Sequence, residues 1–92
     1  MSVAYRIEFK PGALRDLKRL AKPVVRRIVA EIDALGEEPH PKGAKKLQGT
    51  GSHVFYRLRV GDYRVIYQVH DQDVLVLVVR IADRKEIYRL KL

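Results

Sequence analysis

The chain contains no cysteine. That excludes a disulfide framework and any thiolate metal site, and it fits a reducing cytosol. Proline is scarce, with four in 92 residues, while hydrophobic residues reach 47%. The low-hydrophobicity signature of a disordered chain is therefore missing. Long apolar runs are missing too: the longest, Val74 to Val79, falls far short of the roughly 20 residues a membrane helix needs. The opening stretch Met1 to Lys10 is too short and too charged for a signal peptide. The three histidines, His40, His53 and His70, have no metal-ligand spacing. Glycine-rich phosphate loops, nucleophile elbows and paired-carboxylate motifs do not occur. These absences lead us to expect no metal, no cofactor and no membrane, and a cytoplasmic location. Acidic residues are also in deficit: eleven oppose nineteen Lys and Arg, a net charge of +8. Such a chain is drawn to polyanions, of which nucleic acid is the commonest in a cell. An acidic protein would satisfy the same charge.

What is present reads as one domain, residues 1–92, with room for one modest core. Val3, Tyr5, Ile7 and Phe9 alternate with Ala4, Arg6 and Glu8, the period of a strand. Pro11 and Gly12 break it. Leu14, Leu17, Leu20 and Ala21 then recur at helical spacing. Pro23 suits the first turn of a second helix, whose apolar stripe is Val25, Ile28, Ile32 and Leu35. Gly36 is placed to cap its end, and the pair of helices can cover one face of a sheet. Residues 37 to 53 read as a loop carrying Lys45, Lys46 and Leu47. Val54 to Val60 and Tyr63 to His70 read as strands joined by Gly61-Asp62, where a leading glycine fits a type II′ turn. Asp73 to Ile81 is a third strand, covered on both faces. The tail from Asp83 to Leu92 carries Tyr88 and is ambiguous between strand and helix. The order is strand, helix, helix and a three-stranded antiparallel meander, an α+β fold with the helices on one face of the sheet.

A two-residue turn at Gly61-Asp62 dictates the register of the hairpin. Val60 faces Tyr63, Leu58 faces Val65, Tyr56 faces Tyr67 and Val54 faces Val69, all apolar or aromatic and so directed to the core. The other face holds Phe55, Arg57, Arg59, Arg64, Ile66 and Gln68, with Arg59 directly opposite Arg64. Like charges in that relation weaken a sheet. An anion between them removes the repulsion and gains charge-assisted hydrogen bonds. A solvated face with splayed arginines is the bland alternative. Arg84 follows the third strand and can curl toward this face. Tyr88 suits base stacking or simply anchoring the tail. Lys45 and Lys46 are candidates for RNA phosphate contact, or a solvated pair. His53 precedes the arginine strand and is a weaker candidate for a base.

Three stretches carry a family resemblance: Lys45-Lys46-Leu47-Gln48-Gly49, then Tyr56 to Tyr67 ("YRLRVGDYRVIY"), then Arg84 to Tyr88. With Ala13 to Leu17 and the Pro39 loop, nearly the whole chain resembles the RelE toxins of the RelE/ParE superfamily. The resemblance implies the RelE-like microbial ribonuclease fold and the toxin of a type II toxin–antitoxin system. It implies a ribosome-dependent endoribonuclease that cuts mRNA in the A site, by attack of a 2′-hydroxyl that leaves a 2′,3′-cyclic phosphate. It also implies a RelB-like cognate antitoxin, the ribosome and mRNA as partners. The family's basic pair on the second strand matches Arg57 and Arg59, its third-strand arginine matches Arg64, and its tail arginine and tyrosine match Arg84 and Tyr88. The superfamily also holds ParE toxins, which inhibit DNA gyrase by protein binding, so that reading stays open. One departure concerns chemistry. The family often has lysine on the second strand, where this chain has arginine. Arginine, with a pKa above about 12, does not serve as a base, so the resemblance leaves the general base unassigned.

Overall fold

The computed structural model describes residues 4–47 and 54–89. The chain opens with β1 (Arg6–Phe9), followed by α1 (Pro11–Lys18) and α2 (Lys22–Ala34). Four strands follow: β2 (Ala44–Lys46), β3 (Phe55–Val60), β4 (Tyr63–His70) and β5 (Leu75–Asp83). A short 3-10 helix, Ile87–Arg89, resolves the ambiguous tail and touches β5. The sheet order is β1-β5-β4-β3-β2, with β1 parallel to β5 and the other pairs antiparallel.

The α+β reading and the hairpin register are as expected. Val60 pairs with Tyr63, Arg59 with Arg64, Leu58 with Val65 and Tyr56 with Tyr67. Gly61 has φ +58 while Asp62 has no positive φ, as a type II′ turn requires. The sheet is larger than a meander plus one strand. β2 forms inside the stretch read as a loop, because Lys45 and Lys46 lie opposite Arg57 and Tyr56. Three residues between prolines and glycines carry too little period-two pattern to announce a strand. β1 lies beside β5, which is thereby interior to the sheet, as the continuous apolar run of β5 demands.

The core lies between the helices and one face of the sheet. Ile28, Ile32 and Leu35 of the second helical segment meet Leu58, Val65, Tyr67, Val76, Val78 and Ile81. The first helix departs from its expected stripe. Ala13 and Asp16 are buried, Leu17 and Leu20 pack against the core, and Leu14 is 47% exposed. The turn of the helix follows from Asp16. One of its oxygens accepts Arg80 Nε and Ile81 N, each at 2.8 Å, and the other accepts Arg80 Nη2 at 3.1 Å. β1 ends opposite Val78, so beyond that point α1 stands at the open edge of β5 and Asp16 satisfies its N–H. Gly36 also differs from expectation: its φ is not positive. Its carbonyl accepts Tyr5 N at 2.7 Å, and a Cβ there would lie 3.1 Å from the Tyr5 carbonyl. Glycine is needed for close approach, not for a left-handed cap.

Candidate functional site: a cationic depression on the sheet

Strand alternation places Arg57 and Arg59 on the face away from the helices, and antiparallel pairing brings Arg64 opposite Arg59. The unforeseen strand β2 adds Lys45, whose partner is Arg57. Lys45, Arg57, Arg59 and Arg64, together with Gly43, line a depression of about 140 Å³. Every charged group in that lining is a cation. A larger depression, about 300 Å³, lies beside Asp16, Arg19, Arg80, Asp83 and Glu86 and mixes both signs. An anion is therefore better matched by the smaller one.

The turn organises two of the candidate residues. Arg64 Nη1 donates to the Gly61 carbonyl at 3.2 Å and to the Tyr63 carbonyl at 3.0 Å. The Asp62 carbonyl accepts the backbone N–H of Arg84 at 2.8 Å. Gly61 and Asp62 thus hold the guanidinium of Arg64 and the backbone of Arg84 at one corner. Arg64 keeps the rest of its five-donor fork for a ligand. The carbonyl contacts also offset part of the repulsion from Arg59.

The other expected residues fall as follows. Lys46 is separated from Lys45, since its partner is Tyr56, a core-face residue. Arg84 is exposed and lines a neighbouring depression with Asp62, Asp83 and Lys85. Tyr88 lies in the 3-10 helix after β5. His53 lies outside the described residues. No group of three or more His, Cys, Asp or Glu able to hold a metal occurs among the described residues. No helix there is long and apolar enough to cross a membrane.

Two features escaped the sequence reading. The Asp16–Arg80 pair had a faint signal: an aspartate at helical spacing between Ala13 and Leu20, on the inward face. Its hydrogen bond, despite desolvation, holds the Arg80 guanidinium above its ordinary pKa. The second is the aromatic anchor of the Pro39 loop. Tyr67 donates its hydroxyl to the Pro39 carbonyl at 2.9 Å and stacks on Tyr56 with ring centroids 5.6 Å apart. His40 meets the edge of Tyr56 at 5.1 Å. Burial pushes the Tyr67 phenol up to about 12. This anchoring holds the loop that leads into β2, and so Lys45.

The family model for the ParE toxin of the parDE type II toxin–antitoxin system matches residues 7–88. The mRNA interferase toxin RelE of Escherichia coli is 31% identical over 88 residues, covering 94% of this chain and 92% of that protein. The chain belongs to the RelE/ParE superfamily. It is a RelE-like toxin of the type II toxin–antitoxin class. Solved superfamily structures share the fold. The archaeal RelE–RelB complex from Pyrococcus horikoshii superposes with a TM-score of 0.77 at 36% identity, covering 91% of this chain and 97% of that one. The isolated Escherichia coli RelE toxin gives 0.70 at 30% identity, covering 94% and 93%. The depression lies on the face of the sheet turned away from the helices.

Proposed function

We propose that this RelE-like toxin is a ribosome-dependent endoribonuclease that cuts mRNA in the A site and so inhibits translation. The observation that carries the reading is the depression lined by Lys45, Arg57, Arg59 and Arg64 with no acidic residue. A scissile phosphodiester gathers negative charge as its phosphorus becomes five-coordinate, and preorganised cations stabilise that charge. Arg57 and Arg64 grip the phosphate, with Arg59 beside them. The RNA 2′-hydroxyl attacks phosphorus, the P–O5′ bond breaks, and the products are a 2′,3′-cyclic phosphate and a 5′-hydroxyl. Arg84 stabilises the leaving oxygen and Tyr88 stacks on a base or orients the attacking hydroxyl. Among the charged lining side chains Lys45 is the one that is an amine and not a guanidinium, and a guanidinium does not serve as a base. Lys45 is the first residue to test as the base. The ribosome supplies the alignment that a shallow site lacks. In the cytoplasm a RelB-like antitoxin keeps the toxin silent, a reading supported by the Pyrococcus horikoshii relative, whose RelE is in complex with RelB.

A second reading has its own support, because the matching family model is that of ParE. On it the chain inhibits DNA gyrase by protein binding and cuts nothing. The all-cation depression and the likeness to an mRNA interferase favour the nuclease. Primer extension on ribosome-bound message separates the two. Codon-positioned cleavage, lost in Arg57→Gln, is the expected result. Intact message beside inhibited gyrase supercoiling overturns it.

A further inference from the structure

Beside the cationic depression lies another, about 230 Å³ in volume, lined by Asp62, Asp83, Arg84 and Lys85. The two meet at the hairpin turn, where the Gly61 carbonyl accepts Arg64 Nη1 and the Asp62 carbonyl accepts the backbone N–H of Arg84. Unlike the first, this depression holds both signs of charge. Its two carboxylates differ in what they do. Asp83 Oδ1 accepts the backbone N–H groups of Lys85 and Glu86, at 2.8 and 3.0 Å. That is the ordinary use of aspartate in a turn, where the side chain bonds the backbone two residues on. Asp62 also sits in a turn but makes no such bond. Its exposed carboxylate has no hydrogen bond or ion pair among the described residues. The exposed side chains of Arg84 and Lys85 have none either. Opposite charges thus stand round one space without closing on each other.

The chemistry of a nucleic-acid backbone selects what such a space can hold. Phosphate and ring oxygens only accept hydrogen bonds. The 2′-hydroxyl is the one backbone group that donates, and it is what tells RNA from DNA at a given position. Cations alone grip the phosphates of either strand. A free carboxylate among those cations repels the phosphates, and it is matched only where a donor lies between them. Placement fixes which sugar that is. In the cleavage proposed above, Arg84 stabilises the leaving O5′ oxygen. That oxygen belongs to the nucleotide downstream of the cut, so the sugar of this nucleotide lies beside Arg84. Asp62 is the free acceptor in the same depression. The attacking 2′-hydroxyl belongs to the upstream nucleotide and is a different group.

We propose that Asp62, Arg84 and Lys85 form a ribose subsite for the nucleotide downstream of the cut. Asp62 accepts the 2′-hydroxyl of that nucleotide, and Lys85 meets the phosphate that follows it. Asp83 binds no RNA; it holds the backbone of Lys85 and Glu86 in place. The bases of RNA also carry donors, but those differ from base to base, whereas a contact to the sugar is blind to the base. The position of the sugar relative to the cut rests on the nuclease reading; the preference for ribose over deoxyribose does not.

The test is cleavage of ribosome-bound message carrying a single deoxyribose at the downstream nucleotide, which leaves the attacking hydroxyl in place. The parent should cut it about tenfold more slowly than all-ribose message, the scale of one hydrogen bond to a charged group. Asp62→Ala should cut the two messages at equal rates. Asp62→Asn, which suits a turn and keeps an uncharged acceptor, should show a difference of about threefold. Changing the downstream base should leave the parent's sugar effect as it was. The proposal is overturned if the parent ignores the sugar, if either variant, folded by circular dichroism, keeps the full effect, or if the effect follows the base. A binding arm needs no cleavage: fluorescence anisotropy of a labelled single-stranded RNA and of a DNA with the same bases. The parent's preference for the RNA should fall about tenfold in Asp62→Ala. If message is never cut yet that fall is seen, the nuclease reading goes and the ribose site stands. If message is cut and neither arm responds to Asp62, the ribose site goes and the nuclease reading stands.

Discussion

At the scale of the residue, the proposed role of Arg64 sets stability against a ligand. Facing Arg59 across the hairpin costs a few tenths to about 1 kcal/mol. Its hydrogen bonds to the Gly61 and Tyr63 carbonyls share one guanidinium nitrogen and together return a similar amount, about 0.5–1.5 kcal/mol. The two nearly cancel. Arg64→Leu should therefore unfold within about 1 kcal/mol of the parent in a denaturant titration, yet lose growth arrest. Arg64→Lys should restore arrest only in part, because it keeps the charge without the fork. A folded Arg64→Leu that still arrests growth would remove this residue from the site. Tyr67 makes a pH prediction. Its phenol is raised from 10.0 to about 12 by burial, so the folded state holds the proton more tightly than the unfolded chain. The stability it contributes is complete below pH 10 or so and is lost as pH climbs toward about 12. Alkaline unfolding curves should show that loss, and Tyr67→Phe should flatten it while lowering neutral-pH stability by about 1–3 kcal/mol through the orphaned Pro39 carbonyl.

At the scale of the element, the decisive contacts are where one piece of backbone ends and another must finish its hydrogen bonding. Asp16 does this for β5. Asp16→Ala leaves Ile81 N and the Arg80 guanidinium without their acceptor. We expect a loss of roughly 2–3 kcal/mol, below the range for a fully buried pair because Arg80 is partly solvated. Asp16→Asn, which keeps one acceptor, should lose about half of that. Chemical denaturation of both variants decides it; equal losses would mean that helix packing, not edge satisfaction, is at stake. The Gly61-Asp62 turn plays the corresponding role for the site. Gly61→Ala meets both a left-handed φ of +58 and the Arg27 guanidinium at 3.1 Å. It should cost about 1–2 kcal/mol and lower arrest activity by displacing Arg64. Gly61→Asn tolerates the backbone better and should keep more of both. Comparable arrest by the Ala variant and the parent would show that the turn does not position Arg64.

At the scale of the whole molecule, charge governs encounters. With a net charge of +8, association with an acidic antitoxin should weaken as salt is added. Titration calorimetry at several ionic strengths checks this, and an affinity flat across salt would remove charge pairing as the mechanism of neutralisation. If the proposed nuclease activity holds, the protein alone is expected to cut naked RNA feebly, because the depression is shallow, about 140 Å³, and cannot align a flexible strand by itself.

The sequence by itself determined the α+β order, the hairpin and its register. A two-residue turn propagates parity along both strands, so Arg59 had to face Arg64 and the tyrosines had to face the core. It also exposed the charge imbalance and the family likeness around residues 56–67. Tertiary structure decided what depends on distant segments meeting. β2 is a strand only because β3 offers it a ladder, and that pairing is what brings Lys45 to the arginines and sends Lys46 to the other face. Asp16 turned α1 so that Leu14 faces solvent, since the hydrogen bonds of an open strand edge outweigh the burial of one leucine. Neither partner of the Asp16–Arg80 pair is near the other in sequence, and local periodicity carries no information about a contact 64 residues away.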